Sequence, residues 1–167
     1  GDLLLGTRKG WVIGRAVLTG AEVLKVRLPK GVVAGLPQGD DWVYLSGKDV
    51  VRLAPGHKPR WRTPLGERGG FGAGGLAEVA GELVVFQYHG FSDSGVDVFR
   101  LNAVTGRPVW GTACAPLGVP HSEYYHHAEV TVEGERLRVT SEGSSGTFVE
   151  WLDLRTGKRL KRTVSKN

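Results

Sequence analysis

The residues best suited to chemistry in this chain lie in one short stretch, Pro120-His121-Ser122-Glu123-Tyr124-Tyr125-His126-His127, which holds three of its five histidines. His89 and Asp93 lie on a second polar stretch upstream. Imidazole nitrogens and carboxylate oxygens are zinc-type ligands, so His89, His121, Glu123 and His126 form the candidate metal set. The spacing His-x-Glu-x-x-His-His follows no standard metal motif, and no helical pattern is present to align the ligands. Two other readings use the same residues. Tyr124 and Tyr125 could pack into the core while the histidines and Glu123 bond loop backbone. Alternatively, an exposed Tyr/His patch could meet a partner, as aromatic enrichment at interfaces would suit. The candidate binding residues are then His89, Asp93, His121, Glu123, Tyr124, Tyr125 and His126.

Other chemistries find less support. Ser122, Ser141, Ser144 and Ser145 could be set beside His126, Asp93 and Glu142 as a hydrolytic triad. No Gly-x-Ser-x-Gly elbow accompanies them. The run Gly69-Gly70-Phe71-Gly72-Ala73-Gly74-Gly75 matches a phosphate cradle in glycine content alone, because a strand expected from Leu76, not a helix N-terminus, follows it. Cys114 is the only cysteine, which excludes an intrachain disulfide and a Cys-based metal site. In an apolar strand it reads as a small buried hydrophobe.

The elements that must position these residues are strands. Short β-branched and aromatic runs are punctuated by Gly and acidic turns throughout. One unit is expected to hold strands at 76–80, 83–86, 96–101 and 108–115, and the next repeats the order at 128–130, 137–140, 147–152 and 158–164. An earlier unit has them at 32–36, 42–45, 50–53 and 60–65. The first unit offers only 3–5, 11–17 and 23–28, so it is incomplete. A phrase recurs between the last two strands: Asn102, Thr105, Gly106, then Trp110; Asp153, Thr156, Gly157, then Lys161; and, shortened, Gly56, then Trp61. Gly supplies the positive φ of the turn, and Asn102 or Asp153 can accept hydrogen bonds from turn backbone. The Trp places a flat apolar surface at a fixed point, which Lys161 weakens or alters in the last copy.

Four-stranded antiparallel units in tandem are β-propeller blades. The expected fold is all-β, one domain over 1–167 with blades near 1–30, 31–66, 67–118 and 119–167, either closed on itself or part of a larger ring. The Asp/Asn-x-x-Thr-Gly-x-x-x-Trp phrase resembles the tryptophan-docking repeat of the PQQ-like quinoprotein propellers. That superfamily includes quinoprotein alcohol dehydrogenases and the outer-membrane assembly scaffold lipoprotein. The resemblance implies a propeller and favours a bacterial extracytoplasmic setting. None of the dehydrogenases' cofactor-binding positions carries over, so no PQQ and no other cofactor is expected.

Loop lengths locate a working face. In a blade, the loop between the second and third strands shares an end with the loop leaving for the next blade. The long connections 66–75, 87–95, 116–126 and 141–146 all fall there, and function concentrates on long loops of rigid scaffolds. The glycines of the first of them are expected to let the chain cross close to the propeller axis. The expected function is a non-catalytic scaffold that uses the long-loop face of blades 3 and 4 to bind a protein, peptide or glycan. One alternative is a metal-dependent or hydrolytic enzyme centred on residues 121–127. Another is a basic surface for nucleic acid or membrane, since the net charge is +5 and Arg155, Lys158, Arg159, Lys161, Arg162 and Lys166 crowd the C-terminus. The plainer account of that cluster is a charged edge strand that discourages sheet-to-sheet pairing, and nucleic acid is not expected. No apolar run reaches the ~18–20 residues that span a bilayer, and no signal peptide is visible. The chain starts at Gly1 and lacks Met, so its start is expected to have been lost to processing, a cloning scar or proteolysis. The incomplete first blade leaves an edge that a homodimer closing a larger ring would cover.

Overall fold

The computed structural model describes residues 3–8, 11–27, 31–46, 49–56, 58–65, 74–89, 95–114, 127–143 and 146–165. All regular structure among them is β. The chain divides into two compact units, Gly1–Val32 and Val33–Asn167. The first holds blade 1, a three-stranded antiparallel sheet in the order β1 (Leu3–Arg8), β2 (Trp11–Ala16), β3 (Glu22–Arg27).

The second unit carries three four-stranded antiparallel sheets, each in sequence order. Blade 2 is β4 (Val32–Gln38), β5 (Asp41–Ser46), β6 (Asp49–Leu53) and β7 (Pro59–Pro64). Blade 3 is β8 (Gly74–Val79), β9 (Glu82–His89), β10 (Gly95–Asn102) and β11 (Pro108–Cys114). Blade 4 is β12 (His127–Glu133), β13 (Arg136–Gly143), β14 (Gly146–Asp153) and β15 (Arg159–Ser165). These are propeller blades, the first with three strands among the described residues.

One irregularity recurs in all four sheets. The register slips between the last two strands at Gly14/Arg15, Arg52/Leu53, Arg100/Leu101 and Trp151/Leu152. A bulge at a fixed place re-aims the outer strand and the residues after it.

Two apolar cores lie between the blades of the second unit. Val43, Leu45 and Val50 of blade 2 meet Leu83, Val85, Leu101 and Ala103 of blade 3. Val84, Val96, Val98 and Cys114 of blade 3 meet Leu137, Val139 and Leu152 of blade 4. Strand β9 therefore serves both: Leu83 and Val85 face one core and Val84 the other, so its run is apolar without alternation. Burying each such side chain is worth about 1.5–3 kcal/mol.

The strands run further than the sequence suggested, mostly at the end away from the Thr-Gly turns. Three expectations change as a result. His89 is the last residue of β9, paired with Gly95, and not a loop residue. The supposed long connection 141–146 is a hairpin, because β13 continues to Gly143 and pairs with Gly146. Gly74 and Gly75 belong to β8. A Cβ at Gly75 would lie 2.3 Å from the Phe86 ring, and one at Gly74 would lie 2.5 Å from the Phe86 carbonyl oxygen and 2.9 Å from Leu45. Gly75 thus makes room for the Phe86 ring, and Gly74 for the close approach of the β9 backbone and Leu45.

Candidate functional site

The recurring turn is built as expected. The backbone N–H and the hydroxyl of Thr105 both donate to Asn102 Oδ1 at 2.8 Å. Thr156 does the same to Asp153 Oδ1 at 2.7 Å. These bonds, the side-chain hydroxyl first, hold the Asp153 carboxyl below the usual carboxylate range. Gly106 and Gly157 close the turns at φ +71° and +70°.

The Trp of each phrase does not pack on its own turn. It receives the turn of the following blade. Trp61 Nε1 donates to Ala103 O at 3.2 Å, Arg52 Nη1 donates to the same oxygen at 2.8 Å, and Thr63 Oγ1 donates to Gly106 O at 2.6 Å. One blade on, Trp110 Nε1 donates to Leu154 O at 3.0 Å, Arg100 Nη1 to the same oxygen at 3.1 Å, and Thr112 Oγ1 to Gly157 O at 2.7 Å. The rings also lie flat against the glycines. A Cβ at Gly106 would sit 2.6 Å from Trp61, and one at Gly157 the same distance from Trp110. Glycine at these two positions thus serves both the φ angle and the close approach.

The trio of donors sits at fixed register: Arg52 opposite Trp61 and Arg100 opposite Trp110, with Val50 opposite Thr63 and Val98 opposite Thr112. Blade 4 has the same register with different contents. Trp151 faces Lys161, and Val149 faces Thr163. The cation and the indole have exchanged strands, and the Lys161 ammonium lies 5.2 Å from the Trp151 ring centre. Among the described residues no acceptor meets the Trp151 N–H or the Thr163 hydroxyl. Further in, Arg138 and Thr140 occupy the positions of Val43 and Leu45 in blade 2 and of Val84 and Phe86 in blade 3.

Buried charge reinforces the blades. Asp41, 5 % exposed, accepts from Arg60 Nε and Arg52 Nε, both at 2.6 Å. These two guanidiniums, Arg60 first, hold its carboxyl below the usual range. Arg52 thereby links Asp41 to the Ala103 carbonyl of the next blade. Asp49 pairs with Arg62. In blade 4, Glu150 is 1 % exposed and is met by Arg159 Nε at 3.1 Å and Arg162 Nε at 3.5 Å. Three members of the C-terminal basic cluster are therefore engaged within the sheet, with Lys161 the third. Cys114 is buried as expected. Burial, with Glu150 beside it, pushes its thiol up to about 12, which makes it an inert packing group. The buried carboxylates Asp41, Asp49, Asp97 and Glu150 were not singled out from the sequence. Their signal was charge inside otherwise apolar strands.

Of the two stretches proposed for chemistry, His89 and His127 are described, and both lie at the end of the blades opposite the Thr-Gly turns. His89 pairs with Gly95 and His127 with Glu142 at that end. Asp93, His121, Glu123, Tyr124, Tyr125 and His126 lie outside the described residues, as do Ser122, Ser144 and Ser145. Among the described residues no group of three or more His, Cys, Asp or Glu is placed to hold a metal ion, and no helix is long and apolar enough to cross a membrane.

No protein-family model matches the chain, and no curated protein sequence matches it. Solved structures do. A protein of unknown function from Bacteroides caccae superposes with a TM-score of 0.64 at 13% identity, over 96% of this chain and 57% of that one. The quinohemoprotein alcohol dehydrogenase of Comamonas testosteroni gives 0.64 at 12% identity, over 97% of this chain and 34% of that one. The Pan2 WD40 domain of Neurospora crassa gives 0.58 at 14% identity, over 96% and 46%. The chain thus spans less than two thirds of each. At such identities the likeness concerns architecture. The docked Trp phrase and these superpositions together give this chain the β-propeller fold.

Proposed function

We propose that the chain is a non-catalytic binding scaffold that presents the long-loop end of blades 3 and 4 to a protein, peptide or glycan. The carrying observation is the unequal use of the two ends. At one end the β10–β11 and β14–β15 turns are taken up by docking to the preceding blade. At the other, the segments 66–73, 90–94 and 115–126 connect strands that are already held in place. A rigid frame with its long connections at one end is the usual arrangement of binding loops. Tyr124 and Tyr125 are the favoured contacts, since tyrosine gives a large contact area at small entropic cost.

The test is binding to glycan and peptide arrays by the wild type and by Tyr124→Ala/Tyr125→Ala, with thermal melting as the control for folding. The expected result is a reproducible set of ligands for the wild type that the variant loses at an unchanged melting temperature. An identical set for both proteins would overturn this reading.

A further inference from the structure

The outer edges of the blades are not guarded alike. An edge strand leaves a row of N–H and C=O groups unpaired, and chains blunt such edges with charged residues or proline. The outer strand of blade 1, β3, carries Glu22, Lys25 and Arg27. In blade 2, β7 sets Arg60 and Arg62 between Pro59 and Pro64, and in blade 4, β15 carries Arg159, Lys161 and Arg162. Strand β11 of blade 3 carries no charge over its seven residues, and among the described residues it pairs with β10 alone. The guards are missing position by position. Just before the docked Trp, β7 has Arg60 and β11 has Val109, which is 49% exposed. Just after it, β7 has Arg62, and β15 has Arg162 at the same register, whereas β11 has the exposed Gly111. A Cβ at Gly111 would lie 2.8 Å from the Phe99 ring, so that ring takes up the space a guarding side chain would need.

We propose that β11 takes up an extended segment of a partner protein as a fifth strand of blade 3, a segment with a short uncharged β-forming centre and acidic residues on either side. Backbone hydrogen bonds to the open edge supply the attachment. The acidic flanks follow from the surroundings. The outer strands of blades 2, 3 and 4 together hold five Arg and Lys and no Asp or Glu. Blades 2 and 4 pack on blade 3 through the two apolar cores, so cations border β11 on both sides. A second copy of this chain would bring the same cations against these, whereas acidic flanks meet them with opposite charge. The edge uses no residue assigned to the long-loop end, so the two proposals stand or fall separately.

The experiment titrates the full chain with a synthetic peptide of alternating Val and Thr that carries a pair of Glu at each end, read by fluorescence anisotropy and by amide hydrogen exchange. Two N-methylated forms of the peptide each lack the N–H groups of one alternate set, since an added strand faces the edge through one set only. The parent peptide is expected to protect β11 amides, and one methylated form to bind about tenfold or more weakly than the other. Val109→Glu sets a repelling charge on the edge, and Leu160→Glu makes the same change at the same register of blade 4. Both residues are half exposed, so the fold is retained. The first is expected to weaken binding about tenfold, and the second, a screened distance away, less than about threefold. Absence of binding, equal binding of the two methylated forms, or equal effects of the two substitutions would overturn the proposal. So would a doubled wild-type mass in solution that Val109→Glu abolishes, because the edge would then belong to a second copy.

Discussion

The junction between blades 3 and 4 and the outer face of blade 4 use the same register positions for opposite outcomes. At the junction, Arg100, Trp110 and Thr112 close on a glycine turn, and Val84 and Phe86 fill the space behind them. On the outer face, Trp151, Lys161 and Thr163 keep the donor types, but Arg138 and Thr140 replace the apolar fill. Polar donors specify where a turn sits, and apolar fill supplies most of the stabilisation. Blade 4 has kept the first and lost the second.

Truncating the indoles should expose this difference most strongly. Trp110→Ala removes the ring from Gly157 and leaves the Leu154 carbonyl short of one donor, so it should cost about 3 kcal/mol in urea unfolding. Trp151→Ala breaks the cation–π contact with Lys161 and should cost about 1 kcal/mol or less. Equal losses would mean that the docking contacts carry no special weight.

The glycines give a smaller contrast. Gly157→Ala meets both the left-handed φ and the Trp110 ring. Gly56→Ala meets only the φ of +78°, since nothing among the described residues lies within 4 Å of its Cβ. The first should therefore cost about 2 kcal/mol more than the second. Similar costs would indicate that Trp110 moves aside freely.

The smallest effect is one of pH, and it separates two otherwise matching turns. Asp153 has a folded-state pKa below its unfolded value. The unfolded chain then binds more protons across that window, so this contribution is present above the ordinary carboxylate range and fades as pH falls through the folded value. Asn102 fills the same role in blade 3 without titrating. Asp153→Asn should keep the turn and reduce the loss of stability in acid. An unchanged acid profile in the variant would remove Asp153 from this account.

The repeat was readable because its turn needs particular residues. Only Gly tolerates the turn's φ without strain, and only a short polar side chain can bond back from Asn102 or Asp153, so spacing alone marked strand order. What the Trp docks on was not readable, since that contact crosses from one blade to the next and leaves no local signature. Arg52 and Arg100 were missed for the same reason, and each looks like an ordinary surface cation in its strand. The strand ends were underestimated where polar residues such as Gln87, Ser141 and Glu142 continue the ladder, because pairing depends on backbone and not on side-chain character. The histidine-rich stretch was conspicuous in composition, yet composition cannot arrange ligands.

The central claim is that Trp61 and Trp110 are docked through their indole N–H groups, whereas the Trp151 N–H meets no acceptor among the described residues. Hydrogen exchange of the indole protons, followed by NMR on a sample whose mass is that of a single chain, reads this directly. The account predicts slow exchange at Trp61 and Trp110 and fast exchange at Trp151. Comparable exchange at all three would contradict it.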